Sequence, residues 1–346
     1  MSEEMQRIVL AKRPEGRPGP ENFRLENVAI PEPGDGEVLL RVLYMSLDPY
    51  MRGRMDDAKS YATPIGIDEQ MGGGAVGEVI ESRSDQFAPG DFAMGMFGWA
   101  THGVVAAREL RKIDPAVAPI TTALGVLGMP GFTGWYGLTE IGKPKSGETL
   151  VVGAATGPVG SMVGQFARHK GLRVVGVAGG ADKCAYAVDE LGFDACIDHR
   201  DAADARALRA KMAEACPGGV DIYFENVAGK TLEAVLPLMN VAGRIPLCGM
   251  IAWYNAGALG AGENQGPDRL PKMWRTILVN RLTVTGFIIS DHFDRYGEFV
   301  KQAGPLVGQG KIRFREDVTE GLENAPAAFL RMLDGKNFGK TLVKVS

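Results

Sequence analysis

The chain has 346 residues, with 38 basic against 42 acidic side chains and a formal charge of −4, and it is 45% hydrophobic, 23% charged and 8% aromatic. Such a length exceeds one ordinary compact domain and such a composition fills large cores, which excludes a disordered chain or a coiled coil. Basic and acidic residues interleave, so neither nucleic acid nor an anionic membrane surface leaves a footprint, and small ligands are the expected partners.

The N-terminal MSEEMQRIVLAKRPEGRPG is charged and lacks the apolar core of a signal peptide, and the C-terminal GKTLVKVS carries no recognisable anchor or address. A cytoplasmic protein is expected. From Arg7 to about Arg111 the chain shows short β-rich runs at 37–47, 75–82 and 90–106, separated by turn residues, which predict a small barrel or sandwich. The longest uncharged run, 115–139, could cross a bilayer by length alone. Pro115, Pro119 and Pro130, with glycines at 125, 128, 131, 134 and 137, would break such a helix repeatedly, so a buried junction between domains is expected.

From about Thr149 the rhythm changes to strand, glycine turn, helix. TLVVGAA (149–155) leads into a helix over 158–170, RVVGVAG (173–179) into a helix over 183–191, and DACIDH (194–199) follows. GVDIYFENV (219–227), a helix over 232–239 and GRIPLCGMI (243–251) continue the alternation, which predicts a parallel sheet flanked by helices. The last segment, 323–346, reads as a helix opened by Pro326, a glycine turn and a closing strand. Cys184, Cys196, Cys216 and Cys248 are isolated, and neither a disulfide framework nor a zinc ribbon follows from their spacing.

In LVVGAATGPVGSMVGQFARHKG (150–171) an apolar strand runs into a glycine turn and then a helix with Val159, Val163, Phe166 and Ala167 on one face. The dinucleotide fingerprint GxGxxG is present with Ala155 in the first slot, then Gly157 and Gly160. The strand and helix around it give the motif its weight. Gly157 lets the backbone approach a pyrophosphate, Gly160 lets helix pack on strand, and the helix N-terminus offers N–H groups and a positive dipole end.

An NAD ribose is met by Asp or Glu about twenty residues after such a loop. Here that position reads Val175-Gly176-Val177-Ala178-Gly179-Gly180, without a carboxylate, and Asp182 falls where it would open the next helix. Lys183 instead brings a cation, suited to a 2′-phosphate. The residues therefore favour NADPH, against the plainer possibility that Lys183 is a solvated first-turn lysine.

These motifs, with SLDPYMRGRM (46–55), MPGFTGWYGL (129–138), ADKCAYAVDELGFD (181–194), YFENVAG (223–229), CGMIAWYN (248–255), GFIISD (286–291) and NFGK (337–340), give the chain a resemblance to the medium-chain dehydrogenase/reductase superfamily. Within it the chain resembles the zinc-independent alkenal/one, prostaglandin and curcumin reductases, over essentially its whole length. The resemblance implies an α/β fold: a Rossmann-type doubly wound parallel sheet, residues 127–304, inserted into a GroES-like β-barrel domain of residues 1–126 plus 305–346. Where the superfamily's alcohol dehydrogenases carry a zinc-binding cysteine and GHE, this chain has the run from Ser46 to Met51 and MGGG (71–74), and its histidines, 102, 169, 199 and 292, are scattered. No metal is expected.

The resemblance also implies NADPH over Thr156, Gly157, Pro158, Val159 and Gly160, with the adenosine phosphate at Gly179, Gly180 and Lys183. The nicotinamide half would meet Met129, Thr133, Asn226, Cys248, the backbone of Phe287, Ile288 and Ile289, and Asn337. Read from residues alone, Met129, Cys248 and Phe287 are equally core, Thr133 a cap, and Asn226 and Asn337 turn residues. Two positions depart from the family. His199 stands where a tyrosine accompanies the lysine, so protonated imidazole or Arg200 would substitute and make NADPH binding pH-dependent; and Ala228 stands where glycine is usual, implying a slightly different backbone.

Without a metal, a substrate carbonyl is polarised by hydrogen-bond donors, which suits hydride addition to the β carbon of an α,β-unsaturated ketone or aldehyde. Tyr254 resembles the family's active-site tyrosine and is assigned to the carbonyl or developing enolate, or else only shapes the pocket. Tyr50 is expected as a second donor or pocket wall and Arg52 as an aid to cofactor orientation. A zeta-crystallin-like quinone reductase and an NADPH-binding protein without turnover remain open. RLTVTGFII (281–289) would pair with its twin in a homodimer, or lie as an interior strand.

Overall fold

In the computed structural model, which describes residues 4–58, 60–257 and 270–346, turn chemistry cuts the first part of the chain into short strands. They are β1 (Glu4–Leu10), β2 (Phe23–Ala29), β3 (Glu37–Ser46), β4 (Ala75–Ser82), β5 (Phe92–Gly95), β6 (His102–Ala106) and β7 (Arg111–Ile113), with the short helix α1 (Tyr50–Arg54) after β3. β1 and β2 pair antiparallel as a ribbon of their own. The run 90–106 is two strands because its middle turns at Trp99, which holds φ at +66° and lies fully buried, stacked on Phe23 at 5.8 Å between ring centres.

The chain returns to this unit at its end through β14 (Glu316–Glu320), α9 (Ala325–Leu333) and β15 (Lys340–Lys344). The sheet then runs β14-β15-β3-β4-β5-β7, and β3 is shared: its first half pairs with β6 and its second half with β15. A buried ion pair joins the two ends of the unit. Lys340 Nζ donates to Asp48 Oδ1 at 2.5 Å and to the Leu47 carbonyl at 2.9 Å, while the Ser46 hydroxyl donates to the other Asp48 oxygen.

The second unit takes residues 129–256 and 270–315. It contains α2 (Met129–Tyr136), β8 (Thr149–Gly153), α3 (Pro158–His169), β9 (Arg173–Ala178), α4 (Ala181–Asp189), β10 (Ala195–Asp198) and α5 (Ala205–Ala215). It continues with β11 (Val220–Phe224), α6 (Gly229–Val235), β12 (Met239–Leu247), α7 (Leu270–Asn280), β13 (Thr283–Gly286) and α8 (Tyr296–Gly308). All six strands are parallel in the order β10-β9-β8-β11-β12-β13, the doubly wound order of dinucleotide-binding sheets. Leu150, Val151, Val152, Val174, Val175, Ile222, Tyr223 and Phe224 are buried, as a parallel sheet covered on both faces requires.

Three boundaries differ from expectation, each for a local reason. The helix expected over 232–239 runs earlier and ends at Val235, because Pro237 follows and cannot continue it, and the next strand therefore begins at Met239. α4 starts at Ala181, capped by Gly180. The second unit continues past 304, since α8 crosses that point and Arg313 exchanges two hydrogen bonds with the Gln165 amide, at 2.7 and 2.8 Å.

Candidate cofactor and active site

The glycine turn leaves β8 at its carboxyl end. Ala154 takes the left-handed conformation at φ +51°, Ala155 is buried behind it, and the Gly157 N–H closes the turn on the Ala154 carbonyl at 2.9 Å. α3 opens with Pro158, whose missing N–H costs nothing in the first turn, and the N–H groups of Val159 and Gly160 have no intrahelical acceptors. A Cβ on Gly160 would stand 2.3 Å from the Ala154 carbonyl oxygen, so only glycine lets α3 close on β8. Thr156 is buried beside this turn.

Beside the carboxyl end of β9, the neighbouring strand β10 brings a carboxylate that backbone N–H groups occupy. Asp198, at the end of β10, accepts from the Gly180 and Arg200 N–H groups, both at 2.9 Å. Although desolvation favours its neutral form, these donors hold its carboxyl below the usual range. His199 and Arg200 flank Gly179: a Cβ there would lie 2.8 Å from His199 Nε2 and 3.0 Å from Arg200 Nε. Lys230, which the sequence reading does not single out, donates to the carbonyls of His199 at 2.7 Å and Ala202 at 2.8 Å. Burial pushes the His199 pKa down, and the charges of Lys230, Arg200 and Lys183 add to that shift while Asp198 opposes it. Two side chains, His199 and Arg200, therefore stand against Gly179, and the charges of Lys183 and Lys230 act on His199.

The opposite half of the sheet is organised by Glu225. One oxygen of its buried carboxyl accepts from the Tyr223 hydroxyl at 2.8 Å and from the N–H groups of Val227 and Ala228 at 2.6 and 2.7 Å. Its main-chain carbonyl accepts from Cys248 at 2.9 Å and Gly249 at 3.1 Å. Burial raises its pKa against these donors. Asn226 spans the point where strand order reverses, its side-chain amide donating to the Gly153 carbonyl at 3.0 Å. Ala228 keeps the glycine-type backbone, φ +66° and ψ −153°, so the chain holds the conformation there and carries the strain of a Cβ.

Tyr254 closes this corner. A Cβ on Gly249 would lie 3.2 Å from its hydroxyl and 3.5 Å from the Asn226 carbonyl, and the Met250 N–H donates to the same hydroxyl at 3.4 Å. Burial raises its pKa, with Cys248 adding to the shift, so the phenol keeps its proton. Burial likewise pushes up the Cys248 thiol, to about 12. Thr133 donates to the Met129 carbonyl one turn back at 2.7 Å, and Phe287 packs on Tyr136 with ring centres 5.8 Å apart, leading into Ile288 and Ile289 beyond β13.

Tyr50, Arg52 and Asn337 belong to the other unit. Tyr50 is half-buried against its core, and desolvation, with Asp48, pushes its hydroxyl pKa upward. Arg52 is wholly buried, donating to Asp56 at 2.6 Å and the Gly16 carbonyl at 2.8 Å. Asn337 donates to the Gly339 carbonyl at 3.0 Å, within the turn before β15. Among the described residues no group of three or more His, Cys, Asp or Glu side chains gathers as a metal site would.

Fold order, glycine turn and switch-point geometry define a dinucleotide-binding dehydrogenase or reductase. A family described as "N-terminal domain of oxidoreductase" matches residues 6–113, and one described as "Zinc-binding dehydrogenase" matches 158–303. The chain is 51% identical over 341 residues to an NADPH-dependent curcumin reductase of Escherichia coli, covering 98% of this chain and 96% of the relative. It is 37% identical over 354 residues to the NADP-dependent 2-alkenal reductase of Nicotiana tabacum, covering 100% and 99%. Its fold matches the crystal structure of CurA from Vibrio vulnificus in complex with NADPH with a TM-score of 0.92 at 50% identity, covering 99% of each chain. The chain belongs to the zinc-independent curcumin and alkenal reductase branch of the medium-chain dehydrogenase/reductase superfamily.

Two outcomes follow from this geometry. Ala228→Gly relieves a conformation that costs an alanine about 1–3 kcal/mol, so urea unfolding should show a gain of about 1 kcal/mol or more. A phosphate dianion beside His199 raises the imidazole pKa from its lowered starting value. NADPH binding then takes up a proton, strengthens as pH falls through the bound-state pKa and weakens as pH rises through it. Titrating NADPH and NADH across the histidine range, with His199→Gln as reference for the phosphate's own titration, checks this; equal slopes in both proteins would reject it.

Proposed function

We propose that the protein reduces the carbon–carbon double bond of α,β-unsaturated ketones and aldehydes, with the Tyr254 hydroxyl as donor to the substrate oxygen. The chain is an NADPH-dependent oxidoreductase of the curcumin and alkenal reductase type. The observation that carries the finer reading is Tyr254 itself: a phenol held neutral by burial, accepting one backbone N–H and so keeping its own proton to donate, at the corner shared with Asn226 and Gly249.

Bound NADPH supplies the hydride. The backbone donors at Thr156 to Gly160 would hold its pyrophosphate, and Gly179, Gly180, Lys183, His199 and Arg200 its adenosine phosphate. Met129, Thr133, Asn226, Cys248, the backbone from Phe287 to Ile289 and Asn337 are proposed for the nicotinamide half. Hydride arriving at the β carbon moves negative charge onto the carbonyl oxygen, and Tyr254 Oη holds its proton toward that oxygen. A donor in a desolvated setting is worth more to the charged transition state than to the neutral ground state. Tyr50, also neutral, is proposed as a second donor or wall, whereas the buried partners of Arg52 favour a scaffold role over contact with cofactor.

Assembly is proposed as a homodimer through the second unit. Among the described residues β13 is the last strand of the six-stranded sheet, and α7, which precedes it in the chain, exposes Trp274 at 60%, Val279 at 51% and Leu278 at 78%. Unpaired strand edges and contiguous apolar side chains are what a second copy covers. Among the described residues no helix is long and apolar enough to cross a membrane, and four free thiols fit a reducing cytoplasm.

Tyr254→Phe should lower kcat with an alkenal or aryl enone about 100-fold, the loss seen for one oxyanion donor, with NADPH affinity unchanged. An unaltered kcat, or a quinone turned over faster than every enone, would overturn the proposal. Lys183→Ala should weaken NADPH about tenfold while sparing NADH, as expected for one charge-assisted contact to phosphate. Light scattering should give twice the chain mass, falling to a monomer when Leu278 is replaced by Asp.

A further inference from the structure

The two thiols nearest the proposed phosphate corner touch each other. Cys184 lies in the first turn of α4, next to Lys183, and Cys196 lies on β10, two residues before Asp198; the Cys196 thiol donates to Cys184 Sγ at 3.2 Å. Both are partly exposed, whereas the thiols of Cys216 and Cys248 stand elsewhere in the unit with no cysteine beside them. A disulfide needs sulfurs about 2.05 Å apart, so closing this pair requires about one ångström of motion.

We propose that Cys184 and Cys196 are a built oxidation site, forming a disulfide when the protein meets a peroxide, and that this bond loosens NADPH. The second half rests on the reading of the Gly179–Lys183 corner as the 2′-phosphate site.

The chemistry balances. The Cys184 thiolate attacks one peroxide oxygen, the O–O bond breaks, and hydroxide or alkoxide leaves as water or alcohol, giving a sulfenic acid on Cys184. Cys196 sulfur then attacks Cys184 sulfur and expels that oxygen as water, taking up the Cys196 proton. The two thiols lose two electrons and two protons, and the peroxide is reduced. The order of events follows from the pair: the hydrogen bond from Cys196 lowers the Cys184 pKa against desolvation, and the same bond with burial raises that of Cys196. Desolvation pushes Cys216 to about 11 and Cys248 to about 12, and with no second thiol at either site these two cysteines serve as internal controls.

The coupling is positional. β10 also carries Asp198, whose carboxylate fixes the Gly180 N–H, and α4 carries Lys183. Drawing the first turn of α4 onto β10 moves the lysine against the glycines that would face the phosphate.

The whole protein is treated with hydrogen peroxide, quenched, alkylated and mapped as peptides without reduction. The expected product joins the two cysteine peptides with loss of two hydrogens, is reversed by dithiothreitol, and leaves Cys216 and Cys248 alkylated. Cys196→Ser should stop at a sulfenic acid on Cys184 that a cyclic 1,3-dione traps, and Cys184→Ser should remain unoxidised. Fluorescence titration of the oxidised protein should show NADPH weakened about threefold to tenfold and NADH unchanged. If both thiols remain alkylatable, or Cys216 or Cys248 oxidises first, the oxidation site is rejected. If the link forms and both cofactors keep their affinities or shift alike, the coupling is rejected. Lys183→Ala in the reduced protein tests the phosphate assignment separately, so its failure would leave the mapped disulfide standing.

Discussion

The carboxyl group of Glu225 sits at the end of β11 out of reach of water, with three donors crowded onto one oxygen and its own main-chain carbonyl taken by two more. Without these donors a buried carboxyl here would leave its own oxygens unpaired, and the turn would open to satisfy them. Because it stays, the peptide from Asn226 to Ala228 has one arrangement, β12 is bound to β11 beyond the last ladder pair, and the loop bearing Tyr254 has a fixed floor. The glycine turn is reached through the same residue run, since Asn226 carries the link across the reversal of strand order. Positioning at this end of the sheet therefore passes through one acidic side chain that never needs to touch a ligand.

The opposite corner works by the reverse logic. There the acidic side chain, Asp198, is occupied by backbone N–H groups, and the charges of Lys230, Arg200 and Lys183 all act on His199. Like charges gathered at one corner disfavour the protonated imidazole, which is the direction in which the His199 pKa moves.

Much of this was legible in the sequence because local rules carry it. The glycine turn, the parallel alternation and the missing carboxylate at Val175–Gly180 each depend on residues within one strand–turn–helix unit, and the structure keeps all three. What was not legible depends on strands brought together from a distance. Asp198, Lys230 and the contact of Cys184 with Cys196 all arise because β10 lies beside β9, a pairing that spacing alone does not announce. Glu225 hid for another reason: an acid at a strand end reads as exposed until the sheet buries it. α5 shows a softer failure, since Leu208 and Met212 give it a narrow apolar stripe in an otherwise charged segment. The burial of Arg52 was equally illegible, since its enclosure comes from Gly16 and Asp56, which a linear motif does not bring together with it.

Ala228 shows how such a site can change over generations. Its backbone stands where glycine would relax, yet alanine and glycine codons differ by a single base, so the relaxed loop is one step away in sequence space. Strain of that size acts as a mutational reserve: a lineage that acquires a destabilising change elsewhere, for instance while reshaping a substrate loop, can recover the loss at position 228 without disturbing the Glu225 contacts, which reach the residue only through its main chain.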